Sequence, residues 1–487
     1  MKAAVIGAGL GGLSAAIGLA SRGASVTLFE ASAAAGGKAG TTIIDGIEVD
    51  TGPSVMTMPD VLADILAQAD IDMSERITLR DPRPSFRYRY PDGASLDIFP
   101  TPEETLESTA ASLGPAAADE LAGFLRYAGR IWDAAAPHFV YGPAPSVGGV
   151  LALGLGELLK LTRIDPLRSM KRAVDAQVRS PHLRRLLYRY ATYNGSDVRA
   201  APATLNCIAH VELALGGYGV EGGIGEIVRA LVEAAEHLGV KMHFNAPVER
   251  ILIEGGRACG VVVNGEPHVA DVVVANADPA HVFDDLAPSM KLKAPPGSMS
   301  GWNGVLRASR TGERVAHTVY FCDDYEQEFA DIFDGARPPR EPTIYLCAQE
   351  ACHGRSGWAE EEAVFVMANA PAEPAEGTRP QSAWAELEAS VLRRLTEGGL
   401  SAPGDRLVWT RTPTELATQF PGSRGSIYGA ASNGLFSAFR RPPNRISRLP
   451  GLYMASGGAH PGGGMPLAML SGVSAAKAAA HDAGMEP

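Results

Sequence analysis

Gly7, Gly9 and Gly12 stand near the start of the 487-residue chain in G-x-G-x-x-G spacing, and Glu30 follows eighteen residues after the last of them. These residue types suit one task, the gripping of a pyrophosphate-bridged dinucleotide. Gly7 allows a tight turn, Gly9 lets bare backbone approach the pyrophosphate, and Gly12 lets a helix pack closely on a strand. Gly11 and Leu13 sit in the same loop-to-helix junction and join them as candidate cofactor contacts. A helix start here would present free N–H groups and partial positive charge to the phosphates. Glu30 can accept hydrogen bonds from ribose hydroxyls and would repel a phosphorylated ribose, so FAD or NAD fits better than NADP.

The flanking sequence supplies the elements this grip needs. Ala3-Ala4-Val5-Ile6 reads as a buried parallel strand, and Leu10, Leu13, Ile17 and Ala20 share one helix face. Gly23 closes that helix, and Ser25-Val26-Thr27-Leu28-Phe29 reads as a second strand ending at Glu30. A glycine-rich turn in some other α/β domain would not require strand, helix and terminal acid together.

Composition narrows the class. The chain is 46% hydrophobic and 20% charged, long enough for two or three domain-sized cores. A formal net charge of −12 argues against a general nucleic-acid partner. The five cysteines are scattered and odd in number, which predicts reduced thiols, no metal site and a cytoplasmic-type compartment. Lys2 and the apolar run after it could pass for a signal peptide, but that run is the nucleotide-binding strand and helix.

Further glycine turns follow. Ala35-Gly36-Gly37-Lys38 is a tight turn carrying a cation, and Gly46 to Asp50 with Thr51-Gly52-Pro53 predicts a hairpin strand and a sharp turn. Near the C-terminus runs Gly451-Leu452-Tyr453-Met454-Ala455-Ser456-Gly457-Gly458-Ala459-His460-Pro461-Gly462-Gly463-Gly464-Met465-Pro466. Gly462 to Gly464 offers bare amides for close contact with a ring or phosphate.

Taken together, these motifs resemble the amine oxidase and carotenoid desaturase flavoproteins over nearly the whole chain. The C-terminal run resembles bacterial phytoene-desaturase-type enzymes. The resemblance implies an α/β fold: a Rossmann-like FAD-binding domain with a discontinuous α+β substrate domain. It implies FAD contacts at Gly37, Lys38, Gly52, Pro53, Gly457, Pro461, Gly463, Gly464 and Met465, with Val248 pairing its backbone with the adenine. Lys38 has three readings: an FAD phosphate contact, a flavin-edge contact or a solvated turn lysine. His460 is either a structural turn residue or a contact of flavin or substrate.

The expected division assigns 1–75, 216–295 and 441–487 to the FAD-binding domain, and 76–215 and 296–440 to a substrate and membrane-associated domain. Phe86 to Tyr90 and Ser95 to Phe99 read as a hairpin, and Thr101-Pro102-Glu103-Glu104 as a helix start. Val248 to Ile253, Ala258 to Val263 and Val269 to Val274 read as a three-stranded meander. Val147 to Arg172 is apolar and basic, which suits either a membrane interface or a buried helix with a solvated basic end.

The implied reaction is oxidation of an acyclic carotenoid at a saturated carbon pair beside the polyene, with oxygen or a quinone as the final electron acceptor. No catalytic base is evident in the sequence. Gly52 to Met58 and Ser437 to Pro443 look more like hydroxy- or methoxycarotenoid 3,4-desaturases than phytoene desaturases. Alternatives are phytoene desaturation, carotenoid isomerisation or saturation, an amine oxidase, and a flavin-free prenyl-protein chaperone.

Overall fold

In the computed structural model, the chain is described at residues 1–145, 156, 162–290, 297–310, 314–434, 437 and 440–485. Most of Val147 to Leu161 therefore lies outside the described residues, as do parts of Ser437 to Phe439.

The glycine motif sits on a five-stranded parallel sheet. Its spatial order is Leu452–Met454, Val272–Ala275, Lys2–Ile6, Ser25–Phe29 and Lys241–His243. Strand periodicity explains how both faces are buried. Ala3 and Val5 join a core with helices Leu10–Ala20, Gly225–His237 and Met465–Asp482. Ala4 and Ile6 point the other way, into a core with Ala258, Val261 and Val263 of the antiparallel meander.

One strand departs from expectation. Val269 to Val274 reads as a single meander strand, but the chain turns at Ala270-Asp271. Val269 ends the strand Glu266–Val269, and Val272–Ala275 enters the parallel sheet with Val272 opposite Ala3. Four consecutive buried residues need a two-sided environment, which only a central strand offers. The Lys2 N–H donates to Asp271 at 2.7 Å and pins the register.

A second, seven-stranded sheet uses two separated stretches of chain. Its order is Arg406–Arg411, Ser300–Ser309, Glu361–Ala370, Ile344–Ala348, His317–Tyr320, Phe86–Arg89 and Ser95–Ile98. Register places Arg411 beside Asn303, Asn303 beside Met367, and Met367 beside Tyr345. Directly paired residues project from the same face of a sheet, so this row forms one surface. Against it pack helices from the 102–213 stretch, where Thr101 caps Pro102–Leu113 by accepting the Glu104 N–H at 3.3 Å.

The hairpin Thr41–Ile44 and Ile47–Asp50 joins the two sheets. Asp50 is buried and accepts N–H groups of Ile224 (2.8 Å) and Gly225 (3.2 Å) at the start of the helix Gly225–His237. Arg355, from beyond the seven-stranded sheet's Ile344–Ala348 strand, lies 3.5 Å from Asp50 and donates to the Glu48 carbonyl at 3.0 Å. One carboxylate thus ties the parallel-sheet side to the seven-stranded-sheet side.

Candidate active site

A cavity of about 1120 Å³ lies between the sheets. Gly7, Gly9, Gly11 and Glu30 line one end. Glu30 is held by two backbone donors, Ala8 N–H at 2.6 Å and Ser32 N–H at 2.8 Å, one on each carboxylate oxygen. Each oxygen keeps a further lone pair for a ribose hydroxyl.

The strictest glycines are Gly11 and Gly12. A Cβ at Gly11 would lie 2.0 Å from the Ala455 carbonyl oxygen, and one at Gly12 would lie 1.9 Å from that of Gly7. Gly12 faces protein rather than the cavity. Leu13 is fully buried in the core and its N–H is spent on Gly9 O at 3.0 Å, so this structure gives it no free donor for a cofactor.

Asn276 completes the loop. With its amide nitrogen donating to Ala455 O at 2.7 Å, its oxygen accepts the N–H groups of Gly9 (3.1 Å) and Gly12 (3.3 Å). Sequence reading had only a polar strand tip there. Val248 lines the same end of the cavity beside Pro247.

Gly37, Lys38, Gly52 and Pro53 also line the cavity, as do Gly457, Pro461, Gly463, Gly464 and Met465. Asp50 itself does not line the cavity; its turn does. Lys38 is not a freely solvated lysine, since its Nζ donates to Ser426 O (2.7 Å) and Ile427 O (3.3 Å). Burial pulls its pKa below the usual lysine value. His460 is buried, lines the cavity, and places Nε2 3.0 Å from Gly142 O.

Two arginines that sequence reading left without a role also line it. Arg441 donates to the carbonyls of Ala430 (2.6 Å) and Gly457 (3.1 Å), and Arg411 donates to Thr51 O at 2.6 Å. Burial lowers the pKa of each to about 10. With Lys38 they set positive charge around the turn regions, which favours negative charge developing between them.

The remaining wall is mostly apolar. Trp132, Phe139, Val140, Ile164, Leu205 and Ile208 bound it, and Phe365 and Met367 form part of its floor. Behind Tyr345 the scattered cysteines partly converge. Ligand-type atoms of His317, Cys347 and Cys352 all lie within 4.8 Å of one another, fully buried, although all five thiols are free. Sequence spacing gave no sign of this, because a strand-to-helix turn brings Cys347 and Cys352 together and a neighbouring strand supplies His317.

The family profile described as flavin containing amine oxidoreductase matches residues 10–303. The chain belongs to that family. Among relatives, a hydroxyneurosporene desaturase of Rubrivivax gelatinosus is 35% identical over 98% of this chain and 92% of its own length. A 4,4'-diapolycopene oxygenase of a Methylomonas species is 31% identical, covering 96% of each chain. A 1-hydroxycarotenoid 3,4-desaturase of a Flavobacterium species is 29% identical over 96% of this chain and 97% of its own. Among solved structures, an oxidoreductase from Methanosarcina mazei superposes with a TM-score of 0.63 at 17% identity, covering 98% and 100% of the two chains. Wild-type putrescine oxidase bound to putrescine gives 0.59 at 18% identity, covering 99% of each. The structural likeness carries the fold alone.

Family membership makes this an FAD-dependent oxidoreductase, and the geometry fits the cofactor. A bare glycine loop at a helix start, a strand-tip glutamate with spare lone pairs and a second glycine-rich wall share one cavity. Glu30, Gly9 and Gly11 would hold the nucleotide end, while Lys38, Gly52, Pro53 and the Gly457–Met465 wall would flank the ring end.

Proposed function

We propose that this enzyme is a carotenoid desaturase that introduces the C3–C4 double bond into an acyclic 1-hydroxycarotenoid such as 1-hydroxyneurosporene. One observation carries the reading: the glycine loop with Glu30 and a large, mostly apolar chamber belong to one cavity of about 1120 Å³. A polyene is rigid, apolar and elongated, and suits such a chamber better than a small polar amine does. The names of relatives 29–35% identical over almost their full length support the substrate class.

Bound FAD supplies the two-electron oxidant, so that C3–C4 loses a hydride and a proton overall. The chain's own residues orient and desolvate the substrate. Phe139, Ile164 and Ile208 exclude water from the polyene, and the Thr51–Pro53 turn and the Gly457–Met465 wall present the reacting end. No catalytic base is assigned. Oxygen or a quinone takes the electrons onward.

The protein works at a membrane surface in this reading. Among the described residues no helix is long and apolar enough to cross a bilayer. Leu167 is 82% exposed and Tyr141 47% exposed, both beside cavity-lining residues. The basic, apolar run Val147 to Arg172 starts six residues after Tyr141 and contains Leu167. A substrate withdrawn from lipid would enter there.

The test is competition. Purified enzyme with FAD and vesicles is given 1-hydroxyneurosporene, neurosporene and phytoene in separate and mixed reactions, with products read by absorbance and mass. The proposal expects selective loss of two hydrogens from the hydroxylated substrate. Efficient conversion of phytoene with none of the hydroxylated carotenoid would refute the substrate assignment.

A further inference from the structure

Arg189 is a buried cation in the wall of a chamber that is otherwise mostly apolar. Its guanidinium carbon lies 4.9 Å from the ring centre of Tyr193, 5.6 Å from Tyr345, and 5.7 Å from both Phe86 and Tyr88. Such a cage fixes the plane of the guanidinium through cation–π contact. Only Nη1 has protein acceptors among the described residues: Tyr193 Oη at 2.8 Å and Tyr88 Oη at 3.2 Å. Tyr193 in turn donates to Glu212, whose other oxygen accepts from Tyr190 at 2.9 Å. Nε and Nη2 are left with donors to spare, on a residue that borders the cavity.

The cage stands beside the reacting end of the chamber. Tyr345 belongs to the sheet row that runs from Arg411 through Asn303 and Met367. The Thr51–Ser54 turn passes along that row. Thr51 O accepts from Arg411 at one end, and Cys352 Sγ lies 3.7 Å from Ser54 O at the other. Cys352 in turn lies 3.4 Å from His317 Nε2, whose ring partners Tyr345 Oη at 2.8 Å. A hydroxyl on C1 is only two carbon–carbon bonds from C3, so its protein partner must stand close to the turn that flanks the flavin ring. Arg189, facing Tyr345, meets that demand.

We propose that Arg189, caged by Tyr193 and Tyr345, is the donor that recognises the hydroxyl-bearing end of the carotenoid and sets which carbon pair meets the oxidant. The inference rests on the hydroxycarotenoid reading above. Arg189 donates through Nε or Nη2 to the substrate oxygen, while Glu212 holds the positive charge in place from behind Tyr193. A carotenoid lacking the hydroxyl leaves those donors buried without an acceptor, and that penalty is the source of selectivity. Arg189 is a positioning residue here and takes no part in proton or hydride transfer.

The test compares 1-hydroxyneurosporene with neurosporene in FAD-loaded wild type and in three variants. Arg189→Met paired with Glu212→Gln removes the donor without stranding a buried carboxylate, and Arg189→Lys keeps the charge but not the fork. Asn303→Leu probes another polar side chain that lines the cavity, on the row of Tyr345. Flavin content and thermal midpoint confirm that each variant is folded.

The wild type is expected to favour the hydroxylated substrate by roughly 10- to 100-fold in kcat/KM, the range of one charge-assisted hydrogen bond. In Arg189→Met/Glu212→Gln the preference collapses to within about threefold, with product double bonds spread over more than one position. Arg189→Lys retains part of it. A merely structural role would lower both activities together and leave the ratio and the bond position unchanged, which overturns the proposal. Loss of preference in Asn303→Leu with retention in the Arg189 double variant overturns it equally. A wild type with no preference at all refutes the hydroxycarotenoid reading itself.

Discussion

Gly11 and Gly12 show how little room the loop leaves around its backbone. Each would drive a Cβ to about 2 Å from a carbonyl oxygen, and backbone cannot yield as a flexible side chain does. Gly11→Ala is expected to lose most bound FAD and to cost about 1–3 kcal/mol of stability, read by flavin-to-protein absorbance and chemical denaturation. Full occupancy in that variant would show that the loop is looser than described. His460 makes a pH-dependent contribution. Burial, as the chief cause, holds its pKa below the ordinary 6.5. The folded protein therefore binds this proton more weakly than the unfolded chain. Stability is complete above the unfolded value and is lost as pH falls through it towards the folded one. Between about pH 7.5 and about pH 5.5 the thermal midpoint should fall further in wild type than in His460→Asn. Equal falls would mean that His460 is not the group responsible. The turn at the glycine motif and the place of Glu30 at a strand tip were legible because both follow from local backbone pattern. Asn276 and Arg441 were not, since they act on residues 267 and 16 positions away, Gly9 and Gly457, through a fold that the sequence does not display.

Strands and helices were largely readable where one period dominated. The hairpin Phe86–Arg89 with Ser95–Ile98, the Thr101 cap and the helix Gly225–His237 all lie where alternation, capping and glycine signals put them. The split at Ala270-Asp271 was hidden, because a continuous valine-rich run reads alike in a meander and in a parallel sheet. The link between the two sheets was equally hidden. Asp50 reads as one residue of a turn, yet it satisfies two helix N-terminal donors and faces Arg355 across the junction. Asp50→Ala would leave buried Arg355 only the partly exposed Glu48 carboxylate at 3.7 Å and strand the Ile224 and Gly225 N–H groups, and should cost about 3–5 kcal/mol in denaturant unfolding. By contrast Arg393→Ala, which breaks an exposed pair with Glu397, should change stability by less than about 1 kcal/mol. Similar losses in both would contradict the role given to Asp50.

At the scale of the whole molecule, two sheets of different design meet along one cavity. The parallel sheet ends in the nucleotide grip, and the mixed sheet offers a floor whose row from Arg411 to Tyr345 only strand register could reveal. If the exposed apolar residues beside the chamber meet lipid, Tyr141→Ser with Leu167→Ser should reduce flotation with anionic vesicles while leaving FAD content intact. Unchanged flotation would move the membrane contact elsewhere. In the proposed reaction one cavity joins bound FAD to a hydroxylated polyene. Its most direct measurement is a single anaerobic turnover of the FAD-loaded enzyme mixed with 1-hydroxyneurosporene, following flavin and carotenoid absorbance together. The flavin band is expected to bleach in step with the appearance of a red-shifted carotenoid carrying one more double bond, in equal amounts. A flavin that stays oxidised while the carotenoid is bound and unchanged would contradict it.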